Sequence, residues 1–266
     1  MGDVPSASTS TLYTLQDFEL CAMAVDLETV HVEALPEGAF YISDFVTEDE
    51  EDWLVNKVLS APQPRWTQLS HRRLQTWPSP LTNNNTLIAF PLPLWLESII
   101  IPRLKDLGVF KDSPHQAPNH VLVNEYKPGQ GIMPHEDGAA YYPLVATVSL
   151  GAPIVFDIYE KHGIEGPGTG AAETIRRPKP KYRILQERRS LLITRDKLYT
   201  DFLHGIAEVT RDEDLGPDFV CNWNLLREKA VYRGGWYERQ TRISLTYRDV
   251  LHVTKMGNAM KFLGGR

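Results

Sequence analysis

The sequence is poor in cysteine and lacks any long apolar run. Only two cysteines, Cys21 and Cys221, occur among its 266 residues. They lie far apart in the chain, so the sequence predicts neither a disulfide framework nor a structural zinc site, and a reducing compartment, the cytoplasm or the nucleus, is expected. No apolar run approaches the roughly eighteen residues that a transmembrane helix needs, so no association with a membrane is expected.

Lysine and arginine are absent from residues 1–56, which contain thirteen Asp or Glu. This start of the chain therefore lacks the basic region of secretory signals and transit peptides. The whole chain has a net charge of −6, so the remaining 210 residues together carry +7. The acidic stretch is interpreted either as a solvated arm or as a mask that competes with phosphates for the basic part of the protein.

Length and hydrophobic content indicate one domain. The hydrophobic fraction is 42%, and about 200–250 residues is ordinary for a single all-β or barrel domain. Many short β-branched runs predict a mainly β fold with flanking helices. Thr47 and Glu50 form a capping box that predicts a helix to about Leu59. A second helical pattern, over residues 93–110, is expected to bend or break near Pro102.

Several connections are also predicted. The runs LVATVSLG and PIVFDIYE, separated by Gly151 and Pro153, predict a β-hairpin. Residues 160–182 are rich in glycine, proline and charge and predict a long loop, and residues 208–240 predict another. Asp196 is expected to cap a short helix that leads to the sequence FLHGI.

A possible metal site lies in the sequence PHED. His135 and Asp137 are two residues apart on an extended segment, so their side chains point to the same side and can bind one ion. Two imidazoles and one carboxylate hold non-heme Fe(II) with open positions. Of the remaining histidines, His204 is the best candidate for the third ligand. Alone, an H-x-D pair is weak evidence, and a surface histidine near a surface aspartate is the simpler interpretation.

The neighbouring strands add polar groups on one face. Asn124 and Tyr126 share a face of the strand VLVNEY, just before the turn that leads to His135. Near the C-terminus, TRISLTYRDV alternates, with its polar and charged residues on one face: Arg242, Ser244, Thr246 and Arg248. An exposed arginine face is one interpretation. The other is a pair of arginines that bind the carboxylates of a dicarboxylate beside the metal.

Together, these motifs resemble the AlkB family of Fe(II)- and 2-oxoglutarate-dependent dioxygenases, most closely the branch known as AlkB homologue six. The resemblance is carried by N-x-Y-x-P-G, H-x-D, a distant histidine and R-x-S-L-T-x-R, and it covers about residues 38–252. It implies a double-stranded β-helix (jelly roll) core. The implied organisation is an acidic N-terminal extension (1–34), a dioxygenase domain (35–256) and a C-terminal tail (257–266).

The resemblance also implies roles for individual residues. It makes His135, Asp137 and His204 the ligands of Fe(II). It places 2-oxoglutarate beside the iron, with O2 as co-substrate, in contact with five residues: Asn124, Tyr126, Arg242, Ser244 and Arg248. Oxidation of an N-methyl group in this way gives a hydroxymethyl group that releases formaldehyde. The implied activity is therefore demethylation of bases in single-stranded RNA or DNA. The protein is expected to be an oxidoreductase and a monomer.

Substrate binding is predicted at a basic, aromatic stretch. PRWTQLSHRRLQTWP interleaves Trp66 and Trp77 with Arg72 and Arg73, a combination that can stack bases and neutralise phosphates. The alternative is a hairpin whose tryptophans pack on the core. Residues 176–189 carry a local charge of +6, which could follow a phosphate backbone or be solvated. A protein or small-molecule hydroxylase on the same fold and a weakly active reader of modified RNA remain as alternatives.

Overall fold

The computed structural model describes residues 25–161 and 179–255. The other residues include most of the predicted N-terminal extension, most of the predicted loop at 160–182 and the tail at 257–266, so these three predictions lie outside the described residues. Within the described ranges, no helix is both long enough and apolar enough to span a membrane.

The described residues form four α-helices: α1 (Glu48–Leu59), α2 (Leu94–Glu97), α3 (Ile100–Asp106) and α4 (Asp196–Thr200). The capping box of α1 is formed as predicted, because Thr47 accepts from the backbone N–H of Glu50 while the Glu50 side chain accepts from that of Thr47. The predicted second helix is split into α2 and α3. Pro102 lies in the first turn of α3, and its ring would collide with the carbonyl of Ser98 in a continuous helix, so the break falls at Ser98–Ile99.

Fifteen strands are described: β1 (Ala39–Ile42), β2 (Thr67–Gln68), β3 (Arg73–Trp77), β4 (Thr86–Ile88), β5 (His120–Tyr126), β6 (Ile132–His135), β7 (Leu144–Leu150), β8 (Ile154–Glu160), β9 (Tyr182–Gln186), β10 (Leu191–Arg195), β11 (Phe202–Ile206), β12 (Arg211–Glu213), β13 (Trp236–Glu238), β14 (Arg242–Arg248) and β15 (His252–Thr254). Seven form a major sheet in the order β1-β10-β7-β14-β5-β3-β2, and four form a minor sheet in the order β6-β11-β8-β9.

The two faces of the major sheet are separated by strand alternation. On one face, Val121, Val123 and Leu245 belong to a buried cluster that includes residues of α1 and α3. On the other face, Asn124 and Arg242 line a cavity to which the minor sheet also contributes. Side chains from both sheets thus enclose one space, which confirms the predicted double-stranded β-helix with flanking helices.

The predicted hairpin between the two β-branched runs is wrong. β7 pairs with β10 and β14 in the major sheet, whereas β8 pairs with β11 and β9 in the minor sheet. The chain crosses between the sheets at Gly151, where φ is +82° and a Cβ atom would lie 2.8 Å from the carbonyl oxygen of Thr241. Periodicity identifies two strands but does not determine whether they become neighbours in one sheet.

Two further predictions need correction. Residues 208–240 are not one loop, because β12 and β13 pair within them and Arg239 forms two hydrogen bonds with the carboxylate of Asp212. Asp196 is the first residue of α4 and makes no side-chain cap, since Arg195 occupies the N-cap position.

The acidic N-terminal stretch is mostly part of the domain. Ten of its thirteen acidic residues lie in the described part of the chain, and Val32, inside the predicted extension, is buried. Glu50 binds Arg103 with two hydrogen bonds, and Glu51 binds Arg188. These carboxylates neutralise arginines of the body, so neither the solvated-arm nor the mask interpretation describes them.

Candidate active site

A cavity of about 290 Å³ lies between the inner faces of the two sheets. The major sheet and the residue before β3 contribute most of its polar lining, and the minor sheet contributes both histidines of the predicted metal site. The cavity is lined by the following residues named in the sequence analysis: Arg72, Asn124, Tyr126, His135, Asp137, His204, Arg242, Ser244, Thr246 and Arg248.

The pairing of β6 with β11 brings the two histidines together. His204 lies opposite His135 in the ladder, and the register shifts between His204 and Ile206. Their ring centroids are 4.4 Å apart. Gly205 permits this approach, because a Cβ at that position would lie 2.9 Å from the carbonyl oxygen of Ile132. The glycine of FLHGI therefore helps to position the histidine before it.

The three predicted ligands form a set that fits a metal ion. One donor atom from each of His135, Asp137 and His204 lies within 4.8 Å of the others. Nδ1 of His135 lies 2.9 Å from the carbonyl oxygen of Met133. A carbonyl only accepts, so Nδ1 carries the proton and Nε2 keeps its lone pair for an ion. Two imidazole nitrogens and one carboxylate oxygen are the donor set of non-heme iron.

Burial keeps both imidazoles in the form that binds metals. It lowers the pKa of His204 to about 4. It also lowers the pKa of His135, against the opposing effects of the Met133 carbonyl and of Asp137. Phe156 stacks on the His204 ring, with centroids 5.1 Å apart and an interplanar angle of 21°. Both rings are thus neutral at physiological pH, and that of His204 is held in place by an apolar neighbour.

Arg242 is a buried cation held by neutral groups. Its side chain donates to Ser149 Oγ at 2.8 Å and to Gln186 Oε1 at 3.0 Å, and its guanidinium lies 5.8 Å from the centroid of the Tyr126 ring. No carboxylate among the described residues forms an ion pair with it. Burial lowers its pKa to about 10, so it remains charged at neutral pH.

Arg248 has a different environment from Arg242. It donates to the carboxylate of Asp137, and its guanidinium lies 5.0 Å from the centroid of the Tyr141 ring. Its Nε atom is buried without a hydrogen-bond partner among the described residues. The same carboxylate that belongs to the metal-binding set therefore also neutralises Arg248.

The four predicted substrate-binding residues separate into two groups. Arg72 lines the cavity and donates from Nε to Asn124 Oδ1 at 3.2 Å. The other three are directed to the helix-covered face of the major sheet. Arg73 binds Glu125 at 2.5 and 2.7 Å and lies over Trp66, and Trp77 packs against the core and under Arg65. The two tryptophans thus match the packing alternative, and only Arg72 is near the candidate metal site.

The basic segment at residues 176–189 is largely neutralised where it is described. Lys181 binds Glu160, Arg183 binds Asp157, and Arg188 binds Glu51. Arg189 is buried near several carboxylates. Arg176 and Arg177 lie outside the described residues. These ion pairs leave little free positive charge in the described part for a continuous phosphate track.

Sequence reasoning missed three residues of the site: Ser149, Phe156 and Gln186. Ser149 and Gln186 are at most 1% exposed and bind Arg242. Ser149 stands between Val148 and Leu150, and Gln186 follows Leu185, so each is an uncharged polar residue next to apolar ones, and this position is the signal that could have identified them. For Phe156 no comparable signal exists, because an aromatic residue in a strand is ordinary.

Comparison with known proteins identifies the family. A model of the 2OG-Fe(II) oxygenase superfamily matches residues 90–248. The chain is also 41% identical, over 245 residues, to the Danio rerio protein named "Probable RNA/DNA demethylase ALKBH6", a match that covers 92% of this chain and 98% of the relative. The chain belongs to the 2OG-Fe(II) oxygenase superfamily, and within it to the AlkB family.

Other similarities are more distant. "Uncharacterized protein L905" of Acanthamoeba polyphaga mimivirus is 29% identical over 219 residues, which cover 80% of this chain and 85% of the relative. Among solved structures, that of OsALKBH1 is 14% identical with a TM-score of 0.48 and covers 81% of this chain and 99% of its own. As a superfamily member, this protein is an oxidoreductase whose cofactors are Fe(II) and 2-oxoglutarate, as predicted.

Proposed function

We propose that this protein oxidatively demethylates N-methylated bases in single-stranded RNA or DNA in the cytoplasm or nucleus. His135, Asp137 and His204 would hold Fe(II). Arg242 would bind a carboxylate of 2-oxoglutarate. The observation that carries the proposal is that the donor set and this arginine, which lacks an anionic partner among the described residues, line the same cavity. The name of the Danio rerio relative supports nucleic acid as the substrate class.

The remaining roles follow from position. Asn124, Tyr126 and Ser244 line the cavity beside Arg242 and are assigned to the same co-substrate. Arg248 neutralises Asp137 and is close enough to the site to act on either the co-substrate or this ligand. When bound, iron and 2-oxoglutarate supply an oxidation in which O2 is consumed, 2-oxoglutarate becomes succinate and CO2, and an N-methyl group becomes a hydroxymethyl group. Loss of formaldehyde then leaves the demethylated base.

The charge of the cavity favours an anionic substrate. Three guanidiniums and two carboxylates line it, and Lys161 binds one of these carboxylates, that of Glu136, at 3.0 Å. With Lys161 included, these residues carry four positive and two negative charges. The charges of Fe(II) and 2-oxoglutarate cancel each other, so the loaded site would keep two positive charges in excess. Such a field attracts a polyanion such as a nucleic acid strand. Of the three arginines, Arg72 is the one without a carboxylate partner in the described chain or an assigned co-substrate role.

A base can enter this cavity only after leaving its stack. Extrusion from a duplex costs a few kcal/mol, and a single strand largely avoids that cost. We therefore expect single-stranded substrates to be preferred.

The test is a screen of oligonucleotides, each with one N-methylated base, offered as single strands and as duplexes. The protein is supplied with Fe(II), 2-oxoglutarate and O2, and both formaldehyde release and the mass of the oligonucleotide are measured. A loss of 14 Da, the mass of one CH2 unit, with stoichiometric succinate is the expected result. Succinate formation coupled to peptides and not to any methylated oligonucleotide would instead support the protein-hydroxylase alternative.

A further inference from the structure

Among the residues that the structure describes, the partners of Arg242 distinguish it from the other buried arginines that form side-chain pairs. Arg103 makes two hydrogen bonds with the carboxylate of Glu50, at 2.7 and 2.8 Å, and Arg239 makes two with Asp212 at the same distances. All four of these side chains are at most 5% exposed. Arg242, only 2% exposed, is held instead by an amide and a hydroxyl.

The two neutral groups that hold Arg242 belong to different sheets. Ser149 belongs to β7 of the major sheet, and its backbone bonds to Ser190 and Arg189 at 2.9 and 2.7 Å. Gln186 ends β9 of the minor sheet, where it pairs with Ile154. Both acceptors therefore stand on rigid strands, so the guanidinium is fixed in direction before any ligand binds.

An amide and a carboxylate at position 186 differ in whether they leave the positive charge of Arg242 available to a ligand. Both accept a hydrogen bond from a guanidinium, but only the carboxylate cancels its charge. A glutamate at position 186 would place an anion where Gln186 Oε1 now lies, 3.0 Å from the Arg242 side chain. It would compete, within the same molecule, with any carboxylate that binds there.

We propose that Gln186 and Ser149 are positioning residues that hold Arg242 with its charge uncompensated, and that Gln186 thereby sets the preference of the site for a dicarboxylic 2-oxo acid over a monocarboxylic one. This inference rests on the proposed role of Arg242 in binding 2-oxoglutarate. It adds a specificity-determining residue from the minor sheet that touches Arg242 without being charged.

The test uses full-length, Fe(II)-loaded protein without oxygen and measures binding by calorimetry. The ligands are 2-oxoglutarate and 2-oxopentanoate, which has the same five-carbon chain and a single carboxylate. Gln186→Glu is expected to bind 2-oxoglutarate about 100-fold more weakly, the loss expected for a charged hydrogen bond, with 2-oxopentanoate almost unaffected. In Gln186→Met the affinity for 2-oxoglutarate should fall less than about tenfold, because the charge of Arg242 stays free. Gln130→Glu, the same substitution outside the cavity, should match the wild type.

The selectivity ratio separates this role from a merely structural one. Damage to the fold lowers the affinity for both acids together. Equal losses of affinity for the two acids in Gln186→Glu, or no loss for either, would therefore overturn the inference. If that variant does not fold, Gln186→Met and Ser149→Ala carry the test, because each should weaken 2-oxoglutarate several-fold and leave 2-oxopentanoate unchanged. A wild-type protein that binds neither acid contradicts the proposed function itself. If the wild type binds 2-oxoglutarate tightly and the variants bind it equally well, only the role of Gln186 is contradicted.

Discussion

The helix-covered face and the cavity face of the major sheet are formed by the same strands but have opposite chemistry. On the helix-covered face, β14 presents Ile243, Leu245 and Tyr247 to the core. On the cavity face, the same strand presents Arg242 and Arg248. All seven residues of β14 are buried, so the difference between the faces is one of polarity and not of exposure.

This difference shows how one strand can serve stability and chemistry together. Burial of the apolar residues on the helix-covered face stabilises the fold by about 25 cal/mol per Å² of apolar surface. On the cavity face, Arg242 loses hydration and is held by neutral groups, without an anionic partner among the described residues, which costs free energy. The first face can therefore compensate for the second, and a ligand that supplies the missing anion should recover part of the cost.

The largest expected effect is on the cavity face. Asp137→Asn should reduce succinate formation to the background level, because it removes the one anionic group of the proposed metal-binding set. The amide can still accept from Arg248, so the fold should be retained, which circular dichroism can verify. Asparagine is preferable to alanine here, since alanine would leave a buried guanidinium unpaired. Near-wild-type turnover by this variant would remove Asp137 from the site.

On the helix-covered face, Leu245→Ala should act on stability alone. Leu245 is fully buried, and truncation of a buried leucine costs about 2–5 kcal/mol through lost transfer free energy and cavity formation. The free energy of unfolding, measured with denaturant, should fall by that amount. The affinity of the folded protein for 2-oxoglutarate should not change. A large loss of affinity without a loss of stability would mean that the two faces are not independent.

The third prediction concerns pH and a histidine beside Arg248. His120 lies opposite Arg248 in the β5–β14 ladder, and burial, followed by the charge of Arg248, lowers the pKa of His120 to about 4. The unfolded chain binds this proton near pH 6.5, so between pH 6.5 and 4 it holds more protons than the folded protein. The contribution of His120 to the free energy of unfolding should therefore decrease by about 3 kcal/mol as the pH falls through this window, and level off below it.

The His120→Gln variant isolates this contribution. Glutamine can still donate to the Ser79 carbonyl, which accepts from Nε2 of His120 at 3.2 Å, but it does not titrate. Denaturant unfolding at several pH values should show a shallower pH dependence than in the wild type. Identical slopes for the two proteins would show that His120 is not the group responsible.

The smallest expected effect compares two arginines on opposite faces. Arg72→Ala should lower kcat/KM for a methylated single strand by about tenfold, or 1.4 kcal/mol, because Arg72 contributes to the positive excess of the cavity. Arg65→Ala, which removes an exposed arginine stacked on Trp77 at 3.9 Å, should leave kcat/KM unchanged. A larger loss of kcat/KM in Arg65→Ala than in Arg72→Ala would instead support substrate binding at Trp66 and Trp77.

Local patterns in the chain were enough for several features. Side-chain alternation placed His135 and Asp137 on one side and separated the apolar from the polar residues of β14, because both follow from strand geometry within a few residues. The capping box of α1 is equally local. These features need no knowledge of what the segment packs against.

Long-range pairing determined the rest. The approach of His204 to His135 depends on the pairing of β11 with β6 across almost seventy residues, and the crossing from β7 to β8 depends on which sheet each strand joins. The packing of Trp66 and Trp77 on the helix-covered face, and the neutral partners of Arg242 in two different sheets, are likewise properties of the assembled layers. A sequence specifies which face of a strand a residue occupies, but only tertiary packing decides what that face meets.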